Sequence, residues 1–222
     1  MKELRLQSLE ASRSLVDQTY EVILNALCDG TLKSGKRLTQ EEIAARLNVS
    51  RQPVTHALAV LKSQGFVVPS GRRGLTVTPV EPRFFEAIYQ FRSAVEPLAV
   101  SLATPRLTKQ SIARGRSLIK HGRDLVAVGD RLACLQADMD FHLFIYELAR
   151  NPLILETMRL YWRHIQRAMG QVLACPGMSM TVWQEHRRIL EHMIRGEADE
   201  AGELMRWHLV DACARVLKPE AA

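Results

Sequence analysis

The sequence predicts a mainly α-helical protein in which an N-terminal winged helix-turn-helix is followed by a C-terminal antiparallel six-helix bundle. Three observations predict this. Residues 15–63 carry three short stretches of helical apolar period separated by turn signals, and a glycine-flanked pair of strand-like stretches comes after them. Pro79-Val80-Glu81-Pro82 then punctuates the chain. Beyond it only helical periods recur, so the expected domains are residues 8–80 and 83–218.

The first helix rests on Leu15, Val16, Ile23, Ala26 and Leu27 and is ended by Asp29-Gly30. Thr39, with Glu42 three residues later, has the spacing of a capping box, and Ile43, Ala44 and Leu47 give the second helix one apolar side. Asn48-Val49 makes a turn. Ser50 is the expected N-cap of a third helix, Pro53 is tolerated in its first turn, and Gly65 ends it. Val54, Ala57, Leu58 and Leu61 form its inner side, which leaves Arg51, Gln52, Thr55 and His56 outward or flanking. Phe66-Val67-Val68 and Leu75-Thr76-Val77-Thr78 are the two expected strands, and Arg72 and Arg73 lie at the tip of the hairpin between them.

In the second domain Phe84, Ile88, Phe91, Val95, Leu98 and Leu102 step by four and three. Further helices are expected at 108–127, 131–149, 152–173, 180–195 and 198–217, with connections such as Asn151-Pro152, Pro176-Gly177 and Gly196 short enough for antiparallel neighbours. The chain has no apolar run of about 18 residues, and its opening stretch is studded with charges, so neither a membrane span nor a secretory signal is expected and the protein is expected in the cytoplasm. Cys28, Cys134, Cys175 and Cys213 lack paired metal or redox spacing and read as reduced packing thiols. The net charge is +6, and residues 1–80 hold 11 Lys and Arg against 7 Asp and Glu. The smaller domain is therefore the more basic one.

A helix of this motif enters the DNA major groove with its N-terminal end toward base edges. Arg51 suits guanine or a phosphate, Gln52 suits adenine, and Thr55 and His56 flank them. Arg72 and Arg73 on the wing, with Lys36 and Arg37, are expected at phosphates or in the minor groove. Taken alone, arginines on a hairpin tip and a helix end are usually just solvated surface.

Ionisable residues interrupt the apolar seams of the bundle. Leu135, Asp138, His142, Ile145 and Ala149 share one row, and Asp138 and His142 are four apart, so their side chains converge above one helix. His186 lies between Trp183 and Leu190, and His208 between Leu204 and Ala212, each on an inner side. Burying such groups without partners costs on the order of several kcal/mol, so they either meet or face water. A divalent metal would join them; three imidazoles and a carboxylate suit zinc, nickel, manganese or iron, with open positions for water or ligand oxygens. Singly, each histidine is better explained as a hydrogen-bonded core or surface residue than as a ligand; the set of four on inner sides reverses that. Arg92 has the planar fork to anchor a ligand carboxylate, although Glu96 four residues on offers it an intrahelical ion pair instead. His121, His164, His192 and Asp140 read as ordinary surface or packing residues.

Leu38-Thr39-Gln40-Glu41-Glu42-Ile43-Ala44, Asn48-Val49-Ser50-Arg51-Gln52-Pro53-Val54, Gly65 and Gly74 resemble the GntR family of bacterial regulators. Phe91-Arg92-Ser93-Ala94-Val95-Glu96 and Asp138-Met139-Asp140-Phe141-His142, with His186 and His208, resemble the FCD effector domain of its FadR-like subfamily, and the six-helix count resembles the VanR-like branch. The resemblance spans roughly residues 12–217 and implies a metal on Asp138, His142, His186 and His208 with small organic acids binding against it. Glu41, where the family usually has arginine, and Thr55-His56, where it usually has Arg-Glu, imply a different operator sequence.

The expected function is therefore a homodimeric, effector-responsive repressor of transcription that binds a pseudo-palindromic DNA operator and is released by a small carboxylate. A metal-dependent hydrolase and a helical interaction module with a structural metal are the rivals. The chain lacks a glycine-rich nucleotide loop, a His-Glu-x-x-His motif and a nucleophile motif, which disfavours the enzyme, and the module leaves the N-terminal unit without a role.

Overall fold

The computed structural model describes residues 14–71, 74–171 and 180–217. Arg72, Arg73, Cys175, Pro176-Gly177 and the end of the 152–173 helix lie outside the described residues. The described chain is mainly helical and forms two compact units that change over between Pro79 and Val80, with Cys28–Gly30 counted in the second.

In the first unit, helix α1 spans Leu15–Cys28, strand β1 Arg37–Leu38, α2 Gln40–Leu47, α3 Arg51–Ser63, β2 Val67–Ser70 and β3 Gly74–Val77. The α1 face matches the expected one at Ile23 and Leu27 but not at Leu15. Leu15 is exposed, and the buried side is made by Thr19, Ile23, Leu24 and Leu27. The Thr39 hydroxyl accepts from the Glu42 N–H at 3.2 Å, as a capping residue should, but the Glu42 carboxylate turns to Arg46 and Lys36 instead of completing the box. Asn48 takes the left-handed conformation at φ 52°, which reverses the chain between α2 and α3. Ser50 sits at the N-cap position of α3 without a side-chain capping bond. Gly65, at φ 82°, redirects the chain after α3, where a side chain would be strained.

The wing is a three-stranded antiparallel sheet in the order β1-β3-β2. Its register pairs Val67 with Val77, Ser70 with Gly74 and Arg37 with Thr76. The β2 strand runs further toward the tip than expected because Pro69 lies on an edge strand, where its missing N–H costs no ladder bond. Two residues of β1 are too short to leave a period in the sequence.

The second unit contains α4 Pro82–Ala103, a 3-10 turn Thr104–Arg106, α5 Lys109–Val128, α6 Arg131–Ala149, α7 Pro152–Gln171, α8 Met180–Arg195 and α9 Ala198–Leu217. Helix α4 packs chiefly on α9 and α6, while α5 packs on α6 and α8. The inward side of α4 is rotated from the expected apolar row. Ile88 is buried as expected and Val95 and Leu102 pack on the core, but Phe84, Phe91 and Leu98 are exposed, and Phe85, Tyr89, Arg92, Glu96, Ala99 and Ala103 face the core. Phe84 and Phe91 lie edge-on against His164 and Tyr161 of α7, so their rings cover a seam instead of filling the interior. Gly122 on α5 leaves room for α8, since a Cβ there would stand 2.0 Å from Trp183. No helix among the described residues is long and apolar enough to cross a membrane.

Candidate functional site

Three helices assemble the buried cluster. The row predicted on α6 is buried, from Leu135 through Asp138, His142 and Ile145 to Ala149. The four-residue step sets Asp138 and His142 on one side of it, α8 adds His186 and α9 adds His208. One ligand atom from each of the four lies within 4.8 Å of all the others. His186 Nε2 is 3.2 Å from His208 Nε2 and 3.4 Å from Asp138 Oδ1. His142 Nε2 is 3.9 Å from Asp138 Oδ1 and is buried without a hydrogen-bond partner. Three imidazole nitrogens and a carboxylate oxygen converging in this way can hold a divalent metal ion.

The surroundings keep two of these rings in ligand form. Burial, reinforced by the neighbouring His208 and His142, holds the His186 pKa well below the ordinary imidazole value. Burial also lowers His208, against the opposing pull of its hydrogen bond to Glu185. Both are thus neutral near neutral pH, the form that binds metals.

Two glutamates missing from the expected site stand directly behind the cluster. His142 Nδ1 is 2.6 Å from Glu96 Oε2, and His208 Nδ1 is 2.6 Å from Glu185 Oε2. Glu96 is fully buried; burial opposes its charge, but Arg92 and His142 outweigh that and hold its pKa down at about 2. The sequence signals for Glu96 were its four-residue step from Arg92 and its place in the Phe91–Glu96 stretch that resembles the FCD domain. Glu185, beside His186 in the chain, carried none.

Arg92 was open to two interpretations, and the ion pair is present. Its Nε donates to Glu96 Oε1 at 2.6 Å, and its guanidinium lies over the rings of Trp162 at 4.3 Å and Tyr89 at 4.8 Å. Its Nη2 is buried without a hydrogen-bond partner among the described residues. The Tyr146 hydroxyl and the Trp162 indole N–H, whose rings lie near His142, close no hydrogen bond of ordinary geometry either. Burial first, and then the Glu96 carboxylate, keeps the Tyr146 hydroxyl protonated.

In the first unit, Arg51, Gln52, Thr55 and His56 are all exposed on α3, opposite the buried Val54, Ala57, Leu58 and Leu61. Arg51 is not isolated there, because its Nη2 lies 2.8 Å from Glu41 Oε1. Both side chains are more than half exposed, so the pair is worth about 0–1 kcal/mol and yields readily to a stronger partner. The Thr55 hydroxyl donates back to the Arg51 carbonyl at 2.9 Å. Arg37 is exposed on β1 with its guanidinium across Gly74, and Lys36 is half-buried and reaches toward Glu42 at 3.9 Å.

A winged helix with an exposed reading helix, carried in one chain with a helical domain built around a buried ionisable cluster, defines a DNA-binding transcriptional regulator. The description "Bacterial regulatory proteins, gntR family" matches residues 15–77, and the FCD domain matches residues 87–211. The chain belongs to the GntR family and carries an FCD domain. It is 31% identical over 129 residues to the Nta operon transcriptional regulator of Aminobacter aminovorans, a match covering 57% of this chain and 60% of that one. It is 30% identical over 149 residues to the HTH-type transcriptional regulator McbR of Escherichia coli (strain K12), covering 67% of each. The solved structure of E. coli McbR shares the fold, with a TM-score of 0.80 at 22% identity, over 95% of this chain and 100% of that one. These relatives are regulators, which sets aside the hydrolase alternative.

Proposed function

We propose that this regulator works in the cytoplasm as a homodimer, reads a pseudo-palindromic operator through α3 and the wing, and represses until a small carboxylate binds in the helical domain. The observation that carries the DNA half is the outward row Arg51, Gln52, Thr55 and His56 at the N-terminal end of α3. Arg51 and Gln52 have the paired donors and acceptors that read guanine and adenine edges, while Lys36 and Arg37, with Arg72 and Arg73 of the wing, supply charge for phosphates. Glu41 holds Arg51 in the free protein and is a weak competitor for it.

The sensor half is supported by the Asp138, His142, His186 and His208 cluster, which in this proposal holds a divalent metal, zinc before nickel, manganese or iron. The metal supplies an electrophile for an acid's oxygens. Arg92 Nη2, Trp162 Nε1 and the Tyr146 hydroxyl are buried donors around the same cluster and suit a carboxylate. For the acid to regulate, it must favour one arrangement of the dimer over the other, since equal affinity for both shifts nothing.

Arg51→Ala combined with Arg72→Ala is expected to abolish the shifted band on a duplex that the wild type has enriched from a randomised pool. Arg51→Ala alone is expected to cost about 1–3 kcal/mol and to relax base preference at one position of each half-site. Unchanged affinity and preference would remove α3 from the interface.

A further inference from the structure

We propose that Glu96 and Glu185 are positioning residues that orient two of the metal-binding imidazoles and fix their tautomers, an inference that rests on the metal assignment above. Each glutamate is set from a different helix, Glu96 from α4 onto His142 of α6 and Glu185 from α8 onto His208 of α9. Each contact is 2.6 Å, just under the range of about 2.7–2.9 Å for nitrogen–oxygen bonds with an ionised partner.

Each carboxylate is in turn held by an arginine. Glu96 Oε1 takes Arg92 Nε at 2.6 Å, while Glu185 takes both Arg215 terminal nitrogens at 3.2 Å. An ionised carboxylate only accepts, so the facing Nδ1 must carry the proton. A neutral imidazole has one N–H, and the lone pair is then left on Nε2. That is the atom His142 and His208 turn toward the cluster.

The third ring has no such tether. His186 Nδ1 is buried without a partner among the described residues, and the ring is held by stacking on Phe141 at 4.2 Å and by the edge of Trp183 at 5.1 Å. Two rings are therefore directed by charge and one by packing, which sets different sensitivities for the three. Partners of this kind typically change metal affinity about 10–100-fold, by fixing ring orientation and raising ligand basicity.

The test is cobalt(II) titration of metal-stripped full-length protein, followed by visible absorption and chelator competition, together with nitrogen-15 NMR of the imidazoles before metal is added. Glu96→Gln and Glu185→Gln are each expected to weaken cobalt about 10–100-fold, and an exposed control, Glu147→Gln, to change it less than about threefold. In the stripped wild type, His142 and His208 are expected as Nδ1–H tautomers. Each Gln variant is expected to shift only its own partner toward a mixture. Should Glu96→Gln not fold, Glu185, which is only half-buried, carries the same expectation. A wild type that takes no cobalt would overturn the metal assignment and this inference with it. Cobalt binding by the wild type with unchanged affinity and tautomers in the Gln variants would overturn the positioning role alone.

Discussion

Arg92→Met is expected to destabilise the protein by about 3–5 kcal/mol, the cost of leaving one partner of a buried ion pair uncompensated. Arg92 is 1% exposed and Glu96 fully buried, so water does not replace the lost guanidinium. Methionine fills much of the space between Tyr89 and Trp162, which separates the lost charge from lost packing. The measurement is urea unfolding of both proteins, with an unchanged slope confirming that stability and not compactness has changed. Arg92→Met combined with Glu96→Leu is expected to cost less than the sum of the two single changes, because residues in one network couple. A loss below about 1 kcal/mol for Arg92→Met would mean that the pair is not closed in solution.

Gly122→Ala is expected to be destabilising even though alanine favours helices. Helix propensity offers about 1 kcal/mol in its favour. Against that, the new Cβ would lie 2.0 to 2.3 Å from three atoms of the Trp183 ring, far inside contact distance, and that ring is fully buried. Overpacking of this kind costs about 1–3 kcal/mol and occasionally more. The damage should reach the cluster, because Trp183 lies edge-on to His186. A lowered urea midpoint and weaker cobalt binding are expected together. Gly115→Ala, whose Cβ would stand 3.0 Å or more from Leu190 and Phe144, is the milder companion. A Gly122→Ala protein as stable as wild type would show that α5 and α8 do not approach this closely.

The elements with long apolar periods were legible in the sequence. Six helices were expected after residue 83 and six are found among the described residues, because histidines and an aspartate inside a seam do not destroy a pattern carried by Leu135, Ile145, Trp183 and Leu190. The same interruption announced the cluster, since those groups would be costly if buried alone. The α4 face was legible only in part. Of its expected row, Ile88 is buried and Val95 and Leu102 pack on the core, but Phe84, Phe91 and Leu98 turned outward, and an arginine and a glutamate turned inward. Two opposite charges four apart look alike on a surface and in a core, so Arg92 and Glu96 gave no sign of their burial. Glu185 gives nothing in sequence to tell it from a solvated residue beside an inward histidine, and Gly122 reads only as a weak point in a helix. The Glu41–Arg51 pair joins two helices across a turn, a contact no helical period predicts.

Metal content decides the sensor half most directly. Protein purified without chelators and dialysed is expected to retain about one divalent ion per chain, and zinc added back to stripped protein is expected to raise its melting temperature. Asp138→Ala combined with His142→Ala should abolish both effects. Stripped wild-type protein that takes up no divalent ion and melts unchanged with zinc present would contradict the metal-centred sensor.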